Sequence, residues 1–276
     1  MMFPTARQGF YQEICQPDDQ IDLAKASLYI ALEAHPKLDI EEYLKALDAI
    51  AANVSDRLPK ERYPLRVVRA INEHLYDNLR FQGNNRNYYD PDNSYLNRVI
   101  DRRTGIPISL SLVYLEVAKR LDFPMVGVGM PGHFLIRPAQ PELDFLVDPF
   151  NQGEVLFDQD CAELLQQLYG RSVTIRPDFL EPVSSRKILA RMLTNLKGIY
   201  INQGEMSWVL SVIDRLLLLF PDAPIEQRDR GLIYYQVGRW TEARQDLENY
   251  LDCLPAARDA IVVRKLLKRI DGGDDS

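Results

Sequence analysis

The chain has 276 residues, of which 46% are hydrophobic, which is enough for a substantial core and for two domains. Its formal net charge of −7 argues against a general nucleic-acid binder, because such proteins neutralise phosphates with lysine and arginine. The three cysteines have neither disulfide nor metal-site spacing, and no run is apolar for long enough to span a bilayer, so we expect a soluble cytoplasmic protein without metal or cofactor.

Residues 20–103 are predicted to be mainly helical, because their apolar residues recur at helical spacing. The first helix is predicted over residues 24–34. A second, strongly amphipathic stripe begins at Ile40, and Pro64 opens a third helix. His74 lies on the third helix, where we expect an ordinary histidine at the helix surface or boundary.

A polar loop precedes the centre of the chain and ends at Asn93-Ser94. Asn93 or Ser94 is predicted to be the N-cap of a short helix over residues 95–101. Two arginines follow, Arg102 and Arg103. They either clamp an anion or a carboxylate, or neutralise the negative end of the helix, and the sequence does not decide between these alternatives.

The motifs of the chain centre on the segment that follows. A turn at Gly105 leads into a predicted helix that begins near Pro107, because the first helical turn tolerates proline. Three predicted strands come next. The second strand follows the turn Pro131-Gly132 and carries His133, and the third carries Asp148. The predicted strands are residues 125–130, 133–137 and 144–148.

This order of helix, histidine strand and aspartate strand is what a papain-like nucleophile–His–Asp arrangement requires. The nucleophile belongs at a helix N-terminus, where the helix dipole favours a developing anion. The histidine takes its proton, and a carboxylate on the neighbouring strand fixes the imidazole tautomer. A hairpin near residues 138–141 would make His133 and Asp148 cross-strand neighbours.

Four motifs resemble the SirB-type transglutaminase-like family, bacterial proteins with a transglutaminase-like core and often a tetratricopeptide-like tail. The resemblance covers residues 20–270 and implies that fold. It places the family's His and Asp at His133 and Asp148. The superfamily's catalytic cysteine has no counterpart at the helix start. The motifs are Asn93-Ser94-Tyr95-Leu96, Arg102-Arg103-Thr104-Gly105-Ile106-Pro107-Ile108-Ser109-Leu110, Pro131-Gly132-His133-Phe134-Leu135 and Val147-Asp148-Pro149-Phe150-Asn151.

The position that corresponds to the missing nucleophile can be found by counting back three turns from the end of the predicted helix, where the sequence resembles that of the family. The count places the cysteine slot near Pro107. The nearest side chains with a nucleophilic oxygen are Ser109 and Ser111. A serine hydroxyl is a far weaker acid than a thiol and needs stronger activation by the base, so the sequence favours a degenerate site.

The last third of the chain contains an internal repeat. Tyr200 and Tyr234, like Gly204 and Gly238, are 34 residues apart, which is the tetratricopeptide period. A capping helix with apolar residues from Ile261 onward is predicted to follow. A connecting segment over residues 171–183, with a short strand at 173–175, precedes the repeats. The predicted domains are therefore residues 1–183 and 184–276.

The sequence predicts an α+β protein: a helical N-terminal region, a papain/transglutaminase-like core with a small antiparallel sheet, and an all-α tetratricopeptide-like tail.

Three functions are compatible with the sequence. The first function is that of a non-catalytic protein that binds a protein or peptide partner and keeps His133–Asp148 as a structural pair. The second is a serine-dependent hydrolase or amidase with Ser109 as nucleophile, His133 as base and Asp148 as orienter. The third is a structural scaffold built on the repeats. Neither nucleic acid nor membrane is an expected partner, and the sequence does not indicate the oligomeric state.

Overall fold

A computed structural model describes residues 5–171 and 176–272. The chain divides into two compact units, Met1–Met192 and Leu193–Ser276. The predicted α+β class, with a transglutaminase-like core and a helical tail, is confirmed. The domain boundary after residue 183 stays a prediction. The strand predicted at 173–175 lies outside the described residues.

The first unit begins with a layer of helices. The first of them was not predicted, because its ten residues carry only a weak apolar pattern. Asp22 and Asp39 cap the second and third helices by accepting hydrogen bonds from the backbone N–H groups of Lys25 and Glu41. The helices are α1 Thr5–Ile14, α2 Leu23–Ala34, α3 Ile40–Ser55, α4 Pro64–Asn72, α5 Leu96–Arg102 and α6 Pro107–Arg120.

Helix α4 continues without a break into a π-helical segment, Glu73–Asn78. The wider turn rotates the side chains relative to a regular α-helix. His74 follows the buried Ile71 by three residues, on the same helix face, and is itself buried, which corrects the expected position at the helix surface or boundary. Helix α6 forms the centre of the unit, since all twelve residues from Pro107 to Ala118 are buried.

Five short strands form one antiparallel sheet in the order β6-β5-β4-β3-β7. Ile136 of β4 lies opposite Val147 of β5, so the predicted hairpin is present. His133 lies in the turn two residues before β4, which corrects its predicted position on the strand. The strands are β1 Gln82–Gly83 and β2 Thr104–Gly105, a separate parallel pair, followed by β3 Met125–Val128, β4 Leu135–Pro138, β5 Leu146–Asp148, β6 Glu154–Leu156 and β7 Pro182–Val183. Helix α7, Asp158–Tyr169, follows β6.

The region around α5 differs from the prediction at its N-cap, and its two arginines have different surroundings. The N-cap is Tyr95 instead of Asn93 or Ser94, since both of those residues are buried in the preceding loop. The two arginines do not act together. Arg102 lies 2.8 Å from a carboxylate oxygen of Asp90, whereas Arg103 adopts a left-handed conformation (φ 54°) that turns it elsewhere.

The second unit is built from helical hairpins. Turns at Gly204 and Gly238, one predicted period apart, separate the two helices of successive pairs. In the capping helix Ala260 and Val263 are buried, whereas Ile261, which was expected to pack inward, is exposed. The helices are α8 Ser185–Gln203, which spans the boundary between the units, α9 Met206–Leu219, α10 Pro224–Gln236, α11 Trp240–Cys253 and α12 Ala260–Gly272. Within residues 5–171 and 176–272, none of the helices is both long and apolar enough to cross a bilayer.

Candidate functional site

The centre of the candidate site is a buried pair that consists of an imidazole and a carboxylate. Nε2 of His133 lies 2.8 Å from Oδ2 of Asp148. The exposed fractions of the two residues are 5% and 1%. The turn before β4 positions the imidazole, since the backbone N–H of His133 donates to the carbonyl of Met130 at 3.1 Å. The hairpin of β4 and β5 thus brings together two residues that are 15 positions apart.

The carboxylate of Asp148 is held from several sides. Oδ1 accepts hydrogen bonds from the backbone N–H groups of Phe150 and Asn151, at 3.0 and 3.3 Å, and so caps the short turn that follows β5. Oδ2 accepts a further bond from Nδ2 of Asn151 at 2.7 Å. The orientation of the carboxylate is therefore fixed by its own chain.

Aromatic rings close around the pair. Phe150 meets the imidazole edge-on, with ring centroids 6.0 Å apart, and a Cβ at Gly83 would lie 2.5 Å from that phenyl ring. The hydroxyl of Tyr76 donates to the carbonyl of Pro149 at 3.0 Å. Burial, with smaller contributions from Tyr114 and then Asp148, raises the pKa of Tyr76 well above its ordinary value. The surroundings of the pair are therefore largely apolar.

The hydroxyl of Ser109 forms hydrogen bonds at the start of α6 instead of with the imidazole of His133. It donates to the carbonyl of Asn93 at 2.6 Å and accepts from the backbone N–H of Ile106 at 3.1 Å, which caps the start of α6. The residue is fully buried. A nucleophile must present its hydroxyl to the base, and this geometry counts against Ser109 in that role. The alternative Ser111 is buried too, and its hydroxyl lies 3.4 Å from the carbonyl of Phe134.

The start of α6 offers few free backbone donors. Pro107 occupies the first helical position and has no N–H, and the N–H of Ile106 is already bonded to Ser109. Gly105 allows the close approach of this serine, because a Cβ at residue 105 would lie 2.7 Å from its hydroxyl. Two motif residues, Gly105 and Pro107, thus have a structural explanation at the helix start.

Asn93 has a role that the sequence analysis missed. Its side chain is fully buried, accepts from Nδ2 of Asn84 at 3.0 Å, and donates to the carbonyls of Asn87 and Tyr88 at 2.7 and 3.2 Å. The asparagine therefore closes the polar loop over the start of α6. The asparagine-rich composition of this loop was the available signal.

The three cysteines differ in burial. Cys161 of α7 is fully buried in an apolar cluster with Leu146 and Leu165, whereas Cys15 and Cys253 are exposed. The burial of Cys161 among apolar side chains is typical of a structural cysteine. The slot near Pro107 holds no thiol.

An open groove of about 580 Å³ runs between α4 and the edge strand β6. Leu65 and Phe157, on opposite sides, keep exposed fractions of 53% and 55%. Tyr76 lines the groove and reaches the carbonyl of Pro149, the residue after Asp148. The groove is therefore apolar and adjoins the backbone that holds the His133–Asp148 pair.

One glycine fixes the turn at the end of this groove. Gly153 has φ 73° and donates its N–H to the carbonyl of Asp148 at 2.8 Å. Its own carbonyl accepts from Nδ2 of Asn72 at 2.7 Å, and a Cβ at residue 153 would collide with Oδ1 of the same asparagine. That Oδ1 accepts in turn from the hydroxyl of Tyr114 at 3.0 Å. The position therefore requires glycine for both conformation and space.

Comparison with known proteins identifies both units. A family model described as transglutaminase-like superfamily matches residues 41–194, and a tetratricopeptide repeat model matches residues 196–268. The chain is 37% identical over 258 residues to a UPF0162 protein of Xylella fastidiosa, covering 90% of this chain and 89% of the relative. A UPF0162 protein of Pseudomonas aeruginosa is 32% identical over 244 residues, 86% of each chain. Human F-box only protein 21 is 31% identical over 265 residues, which are 82% of this chain but 40% of that protein.

Proposed function

Because the chain belongs to the transglutaminase-like superfamily and to the UPF0162 proteins, we propose that it is a non-catalytic, SirB-type member that binds a protein or peptide partner as a regulatory module. The observation that carries the proposal is the hydrogen bonding of Ser109. Its hydroxyl caps α6 and bonds to Asn93, so the helix start presents neither a thiol nor a directed hydroxyl to His133.

The His133–Asp148 pair has an architectural role in this proposal. Asp148 ties the hairpin of β4 and β5 to the following turn through four hydrogen bonds, one of them with the imidazole. A buried pair of this kind is retained without catalysis, since removing one partner leaves the other buried without a counterpart.

The groove between α4 and β6 is the proposed partner site. Its exposed apolar side chains, Leu65 and Phe157, offer contact area to an extended segment. Its charged rim contains two carboxylates, Glu73 and Asp77, against one guanidinium, Arg69, which gives a net charge of −1. Arg69 already bonds to Glu73 at 3.0 Å. We therefore assign the groove to an extended peptide with apolar side chains and a lysine or arginine that meets Asp77.

Panning a library of random twelve-residue peptides against the full chain tests this site. We expect enriched peptides to combine apolar residues with a basic residue. Their affinity should fall at least about tenfold in Phe157→Arg, since the substitution adds a positive charge and removes apolar contact area. Val262→Arg, a matched change at an exposed position of α12, should leave the affinity unchanged. Peptides that bind Phe157→Arg as well as the wild type would overturn the groove as the partner site.

The tetratricopeptide match favours a second candidate, a scaffold that acts through the tail, because such repeats commonly present a surface to another protein. Trp240 and Val237 at the turn after α10 are exposed apolar residues that suit this role. Peptides that lose affinity in Trp240→Arg and keep it in Phe157→Arg would favour the scaffold over the groove.

The serine hydrolase has its own test. A fluorophosphonate probe should leave the wild-type chain unlabelled at Ser109, since the hydroxyl is buried and committed to the helix cap. Labelling of the wild type that disappears in Ser109→Ala would overturn the non-catalytic proposal.

A further inference from the structure

Among the buried side-chain nitrogen atoms of the first unit that lack a hydrogen-bond partner within the described ranges, two belong to neighbouring side chains that are cationic or can become so. One is Nδ1 of His74, a residue with an exposed fraction of 5%. The other is Nη1 of Arg103. Buried polar nitrogens normally have a partner, so two such atoms in one region require an explanation.

Two short contacts bring Arg103 next to the π-helical segment that carries His74. The backbone N–H of Phe81 donates to the carbonyl of Leu75, the residue after His74, at 2.9 Å. The guanidinium carbon of Arg103 lies 4.9 Å from the centroid of the Phe81 ring. Phe81 therefore connects the π-helical segment to the arginine. A π-helical turn within an α-helix is itself common at binding sites.

A third cation reaches the same region from α3, which packs against the π-helical segment. Arg57 lies two residues beyond the end of this helix. Burial, followed by the charges of Arg57 and Arg103, lowers the pKa of His74. Burial likewise lowers the pKa of Arg103, and Asp101 opposes this effect.

Asp101 is the carboxylate that acts on Arg103, and it has other partners. It accepts from the hydroxyl of Tyr43 at 2.9 Å and lies 3.8 Å from a guanidinium nitrogen of Arg98. The positive potential around His74 and Arg103 is therefore only partly balanced by the surrounding protein.

We propose that His74, Arg57 and Arg103 form a binding site for a phosphate-type oxyanion, either inorganic phosphate or the phosphate group of a small monoester. Arg103 would donate from Nη1 and protonated His74 from Nδ1, while Arg57 supplies a further charge. Phosphate has enough oxygen atoms to accept from all three side chains, whereas a carboxylate has two. The site uses none of the residues of the partner groove, so it stands independently of the proposed function.

Titration of the histidine resonances by NMR tests the site directly, because the chain has only three histidines. The full-length chain is titrated with pH in buffers of constant ionic strength that contain chloride, inorganic phosphate or phenyl phosphate. Phosphate is expected to raise the pKa of His74 by about one unit, which corresponds to about tenfold tighter binding to the protonated site. Phenyl phosphate should act similarly if a monoester is accepted, and a response to inorganic phosphate alone would restrict the site to the free anion.

The variant Arg103→Gly removes the guanidinium and suits the left-handed backbone at φ 54°. It should abolish the phosphate-dependent shift. The matched control is Arg80→Gly, which removes an exposed arginine at φ 61° and should keep the shift. Arg57→Gln, at an exposed position, provides a second variant that leaves the core intact and should weaken binding.

Three results would overturn the site: no shift of His74 with phosphate, an equal shift with chloride, or an undiminished shift in both Arg103→Gly and Arg57→Gln. In each case ordered water remains as the partner of the two buried nitrogens.

Discussion

Each unit of the molecule contains a cluster of buried charge, and the two clusters compared below differ in how far they are enclosed. In the first unit, Asp148 and His133 are almost fully enclosed, and the carboxylate takes its remaining hydrogen bonds from the turn that follows it. In the second unit, Nζ of Lys197 lies 2.7 and 2.6 Å from the carboxylates of Glu226 and Asp229, which are both partly exposed. The His133–Asp148 pair is enclosed and is formed within one hairpin. The Lys197 network joins two helices and is partly exposed to solvent.

The difference indicates at which positions the partner of a charged side chain can be removed with little loss of stability. An enclosed charge without its partner has no water to take the partner's place, so the loss is large. A partly exposed charge exchanges its partner for water at little change in free energy. We therefore expect the loss of Asp148 to destabilise the first unit far more than the loss of Glu226 or Asp229 destabilises the second.

The largest effect is expected for Asp148→Ala. The substitution leaves the imidazole of His133 and three N–H groups without an acceptor, and we expect the free energy of unfolding to fall by about 3–5 kcal/mol in urea denaturation. Asp144→Ala removes an exposed carboxylate from the same hairpin and should change the free energy by less than about 0.5 kcal/mol. Similar losses of stability in the two variants would contradict the expected difference between an enclosed and an exposed carboxylate.

A smaller loss is expected for His133→Ala, because the carboxylate of Asp148 keeps three of its four donors. We expect about 1–3 kcal/mol from the unpaired oxygen and the lost packing on Phe150. His133→Gln, which retains a side-chain donor, should recover part of the loss. An unchanged denaturation midpoint in the alanine variant would remove the architectural role of the imidazole.

Mild acid should destabilise the first unit more than the second, because His35 and His74 both lie in the first. Burial lowers the pKa of both His35 and His74. The unfolded chain then binds these protons at a higher pH than the folded chain, so the first unit loses stability as the pH falls below about 6.5. The slope is at most about 1.4 kcal/mol per pH unit for each histidine.

Hydrogen exchange of backbone amides, corrected for intrinsic rates and recorded without phosphate, measures the acid effect in the first unit. Both tryptophans, Trp208 and Trp240, lie in the second, so their fluorescence during denaturation reports that unit. We expect the second unit to be insensitive between pH 7.5 and about 5.5. The double variant His35→Gln/His74→Gln should flatten the response of the first unit. An equal response in both units would contradict the assignment.

The smallest effect is expected for Arg244→Ala in the second unit. The guanidinium bonds to the carboxylates of Glu248 and Asp271 at 2.9 and 2.8 Å, but it lies on an exposed surface. We expect no resolvable change of the denaturation midpoint, at low salt or in 1 M salt. A shift of the midpoint as large as that of His133→Ala would show that the exposure of a charged side chain does not determine how much its loss destabilises the protein.

The features that the sequence predicted well depend on short-range patterns. Helix α6 follows from its apolar spacing and from Pro107, and the proximity of His133 and Asp148 follows from a hairpin. The repeats were visible as a period of 34 residues, since glycines recur at equivalent turns. In each case the decisive residues lie within one or two elements of each other.

The features that the sequence did not predict depend on distant partners or on one unusual backbone angle. Ser109 is occupied because Asn93, 16 residues earlier, presents its carbonyl to the hydroxyl. Arg102 and Arg103 separate because the second takes a left-handed conformation, which is uncommon outside glycine. His74 is buried on the same helix face as Ile71, and the polarity of the imidazole alone had favoured a position at the surface or boundary.

Gly153 joins three parts of the first unit within one residue. Its N–H belongs to the turn of the proposed architectural carboxylate, its carbonyl is held by α4, and the space above it is filled by Asn72. Almost any inherited substitution there would disturb the groove, the helix and the hairpin together. Random mutagenesis followed by selection for folded protein should therefore leave this codon invariant while neighbouring surface codons drift.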